Sequence, residues 1–295
     1  MTSVPPEQAL TLLAIITEGT FDAAAQRLHL TPSAVSQRVR ALEVAVGRPV
    51  LQRVRPVELT PAGEVVVRFA RQLELLSGDL SEQLRPDTEA AMPRITLVVN
   101  SDSLHTWALP ALVEGAGQVQ LTILREDQDH SLDLLRRGTA HGAVTGTATP
   151  VPGCTSRALG VMRYRPVCAP GFAARWFPDG ATAKAFAAAP VVVYDEKDDL
   201  QDRYLQRHRR STARPPRHYV PATHEFGRAL QLGLGWGMLP DLQIALMEPG
   251  TYTHLASRAH LDVPLYWQQW RLTTTALDQV AAAIADAARV LRQRA

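Results

Sequence analysis

The sequence predicts an α/β protein in two parts: a small helical module closed by a hairpin, then one long helix, then a larger two-lobed domain. Three observations carry that expectation. Apolar residues recur at helical spacing over the first 46 positions, with capping residues, proline and glycine at the starts and stops. A heptad run follows from Ala62 to Leu80. From Arg94 onward, short apolar runs alternate with amphipathic segments, as parallel strands joined by crossover helices require.

The 295 residues suffice for two or three compact domains, and 46% hydrophobic with 20% charged residues is the balance of an ordinary globular chain. No run approaches the ~20 apolar residues that span a bilayer, and no basic flank or apolar block marks a signal peptide, so a cytoplasmic location without membrane contact is expected. Two cysteines, Cys154 and Cys168, are too few for a disulfide scaffold and are expected as reduced thiols near strands. The net charge of +2 names no partner by itself. Its distribution does: between Ala23 and Thr60, Arg27, Arg38, Arg40, Arg48, Arg53 and Arg55 face only Glu43 and Glu58.

Residues 7–18 form the first expected helix, with Leu10, Leu13, Ala14 and Thr17 on one side and Gly19 as its stop. Thr20 caps a second helix to Leu28, whose inner face is Phe21, Ala24, Ala25 and Leu28. After a turn at His29 and Leu30, Thr31 caps a third helix with Pro32 in its first turn and Gly47 past its end. Val35, Val39, Leu42 and Val46 make one narrow buried stripe. Ser33, Ser36, Gln37 and Arg40 lie opposite. Slim hydroxyl, amide and guanidinium groups on one helix face suit a major groove, where they donate to phosphates and base edges. Periodicity alone fits a generic three-helix bundle with a solvated face equally well.

The next segment adds a hairpin: strands at residues 50–53 and 57–59 around a tip carrying Arg53 and Arg55, placed to reach phosphate or the minor groove. With it the N-terminal residues resemble the LysR-type regulators. The resemblance rests on Gly19, Thr20 and Phe21; on Ala23, Ala24, Ala25 and Leu28; on Ala34, Val35 and Ser36; on Leu42, Glu43, Val46 and Gly47. It closes on Arg53 and the run Leu59, Thr60, Pro61, Ala62, Gly63. Pro32 and Ser33 stand where many members have Gln and Pro. The resemblance implies a winged helix-turn-helix over residues 1–60 that binds double-stranded operator DNA, with Thr31, Ser33, Ser36, Gln37, Arg40, Arg53 and Arg55 as contacts.

Thr60 and Pro61 start a fourth helix by the same capping logic. Ala62, Val66, Phe69, Leu73, Leu76 and Leu80 then alternate spacings of four and three, a coiled-coil seam on a helix about 36 Å long. Such a helix needs a partner, so residues 61–90 are read as a dimerisation linker with its hinge at residues 85–89; packing on its own domain is the alternative.

From Arg94, strands are expected at residues 95–99, 119–124, 143–145, 161–169, 191–194, 218–220, 236–239 and 265–272, with helices at 104–115, 132–137 and 276–292. Two lobes with a double crossover would resemble the periplasmic-binding-protein-like effector domain of the same family: lobe I at about 91–160 and 266–295, lobe II at about 161–265. Ligands of open α/β sheets bind beyond the carboxyl ends of strands. The first such end carries Asn100, Ser101, Asp102 and Ser103 before a helix, a site for a carboxylate. The second carries Glu126, Asp127 and Asp129, which repel one another and welcome a cation. Thr145, Asp195, Thr223 and Glu225 sit at comparable ends. Taken singly, each is equally at home as a helix cap or solvated acid; as a set they suggest a zwitterion with an added positive group, a basic amino acid.

The chain resembles in particular the ArgP/LysG branch of the family. The shared residues are Ser33 to Arg38, Asn100 with Asp102 to Leu104, Glu126 and Asp127 with His130, Gly142 to Thr145, Gly233 to Gly237, and Leu265 to Gln268. That branch implies an activator of basic-amino-acid export whose effector is lysine or arginine, with no other cofactor. It also implies a homodimer or homotetramer and RNA polymerase as a further partner. A soluble solute-binding α/β protein with an oligomerising N-terminal bundle is the alternative from another class. Other signals fall away. The glycines at 233, 235 and 237 follow a helix and enter a strand, the reverse of a dinucleotide loop. The nine histidines show no metal-ligand spacing, and no nucleophile elbow is present. No enzyme is expected.

Overall fold

In the computed structural model, the N-terminal module is built by capping as much as by burial. The structure describes residues 4–52, 54, 56–84, 92–115, 117, 119–125, 128–208, 215–256 and 259–292, with backbone only at 82, 83 and 128–130. Helix α1 (Pro6–Glu18) ends at Gly19 with φ 77°, a left-handed turn that costs glycine nothing. Helix α2 (Phe21–Arg27) starts at Thr20, whose hydroxyl accepts the Ala23 amide at 3.1 Å. Helix α3 (Pro32–Val46) starts at Thr31, which accepts the Ala34 amide at 3.2 Å, and stops at Gly47. Leu12, Ile15, Ala24, Val35 and Leu42 are fully enclosed in the shared core. The buried side of α1 is wider than expected, taking in Thr11, Leu12 and Ile15, while Thr17 is exposed and turns its hydroxyl back to the Leu13 carbonyl.

Strands β1 (Leu51–Gln52) and β2 (Glu58–Leu59) pair antiparallel as the hairpin. The expected wing residues Arg53 and Arg55 lie outside the described residues. Helix α4 (Pro61–Leu84) follows. A Cβ at Gly63 would overlap the Val50 carbonyl, so only glycine lets α4 start this close to the hairpin.

The upper seam of α4 is spent inside the chain. Val66, Val67 and Ala70 belong to the N-terminal core, and Leu75 to the core of the large domain. Below Val66, the stripe of Phe69, Leu76 and Leu80, extended by Leu84, is exposed. One end of the seam therefore anchors the N-terminal module, and the other presents apolar surface, as expected of a helix awaiting a partner.

The large domain opens with β3 (Arg94–Val98), which runs into one helical stretch: α5 (Ser101–Ser103), a π-helical turn (Leu104–Ala108) and α6 (Leu109–Gly115). Then come β4 (Gln120–Leu124), α7 (Gln128–Arg136), β5 (Gly142–Thr145) and β6 (Cys154–Cys168). The second lobe continues with α8 (Pro170–Trp176), α9 (Ala183–Ala188), β7 (Val191–Val193), α10 (Leu200–Arg207), β8 (Arg217–Tyr219), α11 (Thr223–Gln231), β9 (Gly237–Pro240), α12 (Asp241–Ala245) and β10 (Thr253–His254). Strand β11 (Leu261–Trp270) returns, and α13 (Thr275–Ala287) closes the chain with a short 3-10 turn, Ala288–Val290.

Strands β3, β4 and β5 are parallel, and β7 pairs parallel with β8. Between these groups run β6 and β11, paired antiparallel from Leu261–Tyr164 to Trp270–Cys154. Both strands begin earlier than expected, because each crosses from one lobe to the other rather than serving one. The ladder slips register between Leu265 and Tyr266, opposite Gly160. Gly160 has φ 145°, and a Cβ there would come within 2.8 Å of Leu291. The bend between the lobes is thus placed where only glycine fits. The two cysteines begin and end β6; both are free, and burial pushes their thiols up to about 11 for Cys154 and about 12 for Cys168. Protonated, buried and at opposite ends of one strand, they are structural.

Candidate functional site

Two sites emerge, one on each part of the chain. On the N-terminal module, α3 buries Val35, Val39 and Leu42, which turns Ser33, Gln37 and Arg40 outward to full exposure and Ser36 to half-exposure. Thr31 is occupied as the cap of α3 and also bonds the Ser33 hydroxyl at 3.0 Å, so it orders the first turn of this helix. The arginines divide into two sets. Arg27 pairs with Glu18 at 3.0 Å, and Arg38 reaches Glu7 at 3.3 Å and the Thr11 hydroxyl at 3.4 Å; these hold the module together. Arg40 and Arg48 are exposed and pair with no acid among the described residues. A positive, slim, exposed face on the third helix of such a module is fitted to a nucleic-acid groove.

The second site lies where the lobes meet. The end of β3 passes into α5 through Asn100, whose side chain accepts the Ser103 amide at 2.9 Å. That cap presents Ser101 and Asp102. Across the cleft, the Tyr164 hydroxyl of β6 donates to Asp102 Oδ2 at 2.7 Å, and the Tyr194 hydroxyl lies 3.4 Å from that of Ser101. Asp198 stands close enough to Asp102 for the two charges to repel. Burial holds the Asp102 carboxyl above the ordinary carboxylate range and Asp198 adds to it, against the Tyr164 hydrogen bond. Asp198 is raised likewise by burial, although the Leu200 and Tyr194 amides stabilise its anion. Tyr164 is pushed well above 10 by burial and by Asp102, so it stays a hydroxyl donor. Two half-buried acids whose charges repel, offset at Asp102 only in part by His105, are arranged to receive a further cation.

Of the strand-end residues expected here, Ser101 and Asp102 meet the opposite lobe directly, while Asn100 acts as their cap. Ser103 is fully buried, and its hydroxyl has no partner among the described residues. Thr145 is buried at the end of β5, its hydroxyl accepting the Thr147 amide at 3.2 Å. Asp195 accepts the amides of Lys197 and Asp198, at 2.8 and 3.0 Å, so it shapes the turn that carries Asp198. The Thr223 hydroxyl at the start of α11 is buried with no partner among the described residues. Glu225 lies in the first turn of α11, at a helix start as expected, and is exposed there because Phe226, Ala229 and Leu230 take the core-facing side. Glu126 and Asp127 lie outside the described residues, as does the side chain of Asp129.

Tyr164, Tyr194 and Asp198 were not anticipated. Asp198 follows the apolar run Val191–Val193 much as Asp102 follows β3, so the strand-end rule that selected Asp195 reaches it with three more residues. Tyr164 sits in mid-strand, where nothing in the local pattern marks it.

The comparisons with known proteins bear on both sites. Residues 6–64 match the bacterial regulatory helix-turn-helix proteins of the lysR family, and residues 88–293 match the LysR substrate binding domain. The lysine export transcriptional regulatory protein LysG of Corynebacterium glutamicum is 43% identical over 286 residues, 96% of this chain and 97% of that protein. The crystal structure of ArgP from Mycobacterium tuberculosis superposes with a TM-score of 0.92 at 42% identity, covering 98% of both chains. Full-length LysG from Corynebacterium glutamicum with bound effector Arg superposes at 0.84 with 40% identity, over 98% of this chain and 100% of that one.

Proposed function

The chain belongs to the LysR family of bacterial DNA-binding transcriptional regulators, and on that premise we propose that it senses arginine or lysine between its lobes and controls a basic-amino-acid export gene. It is a regulator, not an enzyme. The observation that carries the effector assignment is the Asp102–Asp198 pair, with Tyr164 bonded to Asp102 at 2.7 Å across the cleft. A guanidinium or ammonium group between two acids relieves their repulsion and gains charge-assisted hydrogen bonds. The effector's carboxylate falls to the neutral donors around it, Ser101, Ser103, Tyr194 and Thr223, two of whose hydroxyls are buried without a partner among the described residues. Arginine bound to LysG, a relative sharing 40% of residues, supports the same chemistry.

Binding would favour the closed arrangement of the lobes, because the two acids come from opposite sides of the cleft. On the N-terminal module, Ser33, Ser36, Gln37 and Arg40 contact operator DNA, with Thr31 ordering their helix and Arg53 and Arg55 on the wing. The exposed stripe on α4 joins two copies, a dimer that presents two such helices to one operator and assembles further to a tetramer. RNA polymerase is the partner through which activation acts. Among the described residues no helix is long and apolar enough to cross a membrane. The test is operator binding at fixed salt with arginine, lysine or neither. A shift in affinity or footprint with one of them supports the assignment; binding indifferent to both removes it.

A further inference from the structure

We propose that Gln268, buried in the middle of the large sheet, is a positioning residue of the effector site: it fixes the crossover between β5 and β6 so that the Thr147 hydroxyl meets the effector's carboxylate. The inference rests on the assignment of the cleft to a basic amino acid. The topology creates the need for such a residue. Strands β5 and β6 follow one another in the chain, yet both pair with β11, which lies between them. Strand β5 ends with Thr145 opposite Tyr266, and β6 begins with Cys154 opposite Trp270. Residues 146–153 must therefore cross over β11 and travel back along it by about 13 Å, at ~3.3 Å per residue. A segment crossing a sheet in this way has no neighbouring strand to pair with, and backbone groups buried without partners are costly.

Gln268 lies midway between Tyr266 and Trp270 on the strand that is crossed, and it supplies those partners. Its Oε1 accepts the Val151 amide at 3.0 Å. Its Nε2 donates to the carbonyls of Thr147 at 2.9 Å and Thr149 at 3.0 Å. The residue is fully buried, and both ends of its amide are engaged. The residue type follows from that pattern: glutamate has the reach but no donor for the two carbonyls, and methionine has the length but neither donor nor strong acceptor.

The pinned end of the crossover lies at the cleft. Strands β3 and β5 pair in parallel with Val98 opposite Ala143, and continuing that register puts Thr145 beside Asn100. Asn100 is the cap that presents Ser101 and Asp102. Two residues past Thr145, Thr147 gives its amide to the Thr145 hydroxyl at 3.2 Å and its carbonyl to Gln268. Thr147 is half-buried, and its own hydroxyl has no partner among the described residues. A neutral donor held next to the start of α5 adds to the hydroxyls that take the effector's carboxylate, and a bond to that charged group is stronger than one between neutral partners. Gln268 acts only through the loop: it touches backbone, and what it delivers is the place of Thr147.

The test is titration calorimetry on the full chain with arginine and with agmatine, which keeps the guanidinium and lacks the carboxylate. Thr147→Val should weaken arginine about tenfold, the loss of one hydrogen bond to a charged group, and leave agmatine unchanged. Gln268→Met should weaken arginine by a similar factor and add little in the Thr147→Val background, because both changes remove the same contact. A residue serving only to hold the fold would weaken both ligands alike. Should Gln268→Met fail to fold, the Thr147→Val comparison of arginine with agmatine still decides. Wild-type arginine affinity in Thr147→Val, or equal losses for arginine and agmatine, would overturn the proposal, and fully additive losses in the double variant would overturn the part given to Gln268. Wild-type protein that binds neither arginine nor lysine, or an Asp102→Asn protein that binds arginine as tightly as wild type, would instead remove the cleft assignment on which the proposal rests.

Discussion

Replacing Asp102 with asparagine separates the effector assignment from every structural role of that residue. The side chain keeps its size and an oxygen to accept the Tyr164 hydroxyl, now 2.7 Å from Oδ2, and loses only its charge. A hydrogen bond to a charged group contributes about 1.5–3 kcal/mol, so arginine should bind about 10- to 150-fold more weakly. The free protein should move the other way. Burial and the neighbouring Asp198 disfavour the Asp102 anion, so removing it relieves the fold and raises the unfolding midpoint. Titration calorimetry on the full chain at neutral pH reads the first effect, with citrulline as the uncharged analogue of arginine, and thermal unfolding reads the second. Because folding raises the pKa of both acids, wild-type affinity should also fall as pH drops and they take up protons; the variant should show a shallower decline. Citrulline binding as tightly as arginine, or an Asp102→Asn protein with wild-type affinity and lowered stability, would refute the reasoning.

Other parts of the chain give equally direct expectations. Arg40→Ala, altering an exposed guanidinium with no acid partner among the described residues, should weaken operator binding by about 1–3 kcal/mol in a gel-shift titration and leave the unfolding midpoint unchanged. Leu76→Glu with Leu80→Glu places charge on side chains that are 42% and 56% exposed, and should give a folded monomer by light scattering; a persistent dimer would assign the interface elsewhere. His141, edge-on to Trp270 at 4.6 Å with Nδ1 accepting the Thr96 amide, is held down to about 4 by burial and by the Arg71 charge. Below pH 6.5 the unfolded chain gains a proton that the folded chain refuses, so stability should fall from pH 6.5 toward 4 by up to about 3 kcal/mol. Denaturant unfolding of His141→Asn should show that slope flattened.

Much of this protein is legible along the chain because its devices are local. The caps at Thr20 and Thr31, the stops at Gly19 and Gly47, and the Val35, Val39 and Leu42 stripe each act within a few residues, and together they orient Gln37 and Arg40 before any distant contact forms. The strand end at Asn100 and Asp102 is local in the same sense, as a cap placed by the end of β3. The sequence also marked α4 as a helix needing a partner. It could not mark how the helix divides that need, because Val66 and Leu75 are claimed by two different cores and only the lower stripe is left for a second chain. Tyr164 reaches Asp102 across 62 residues, since β6 runs 15 residues through both lobes and carries its middle to the opposite wall of the cleft. Asp198 joins them through the turn that Asp195 shapes. Periodicity and capping are properties of neighbours in sequence, and they determined the modules; the cleft is a property of surfaces brought together by long strands, and only the tertiary structure decided which acids face each other there.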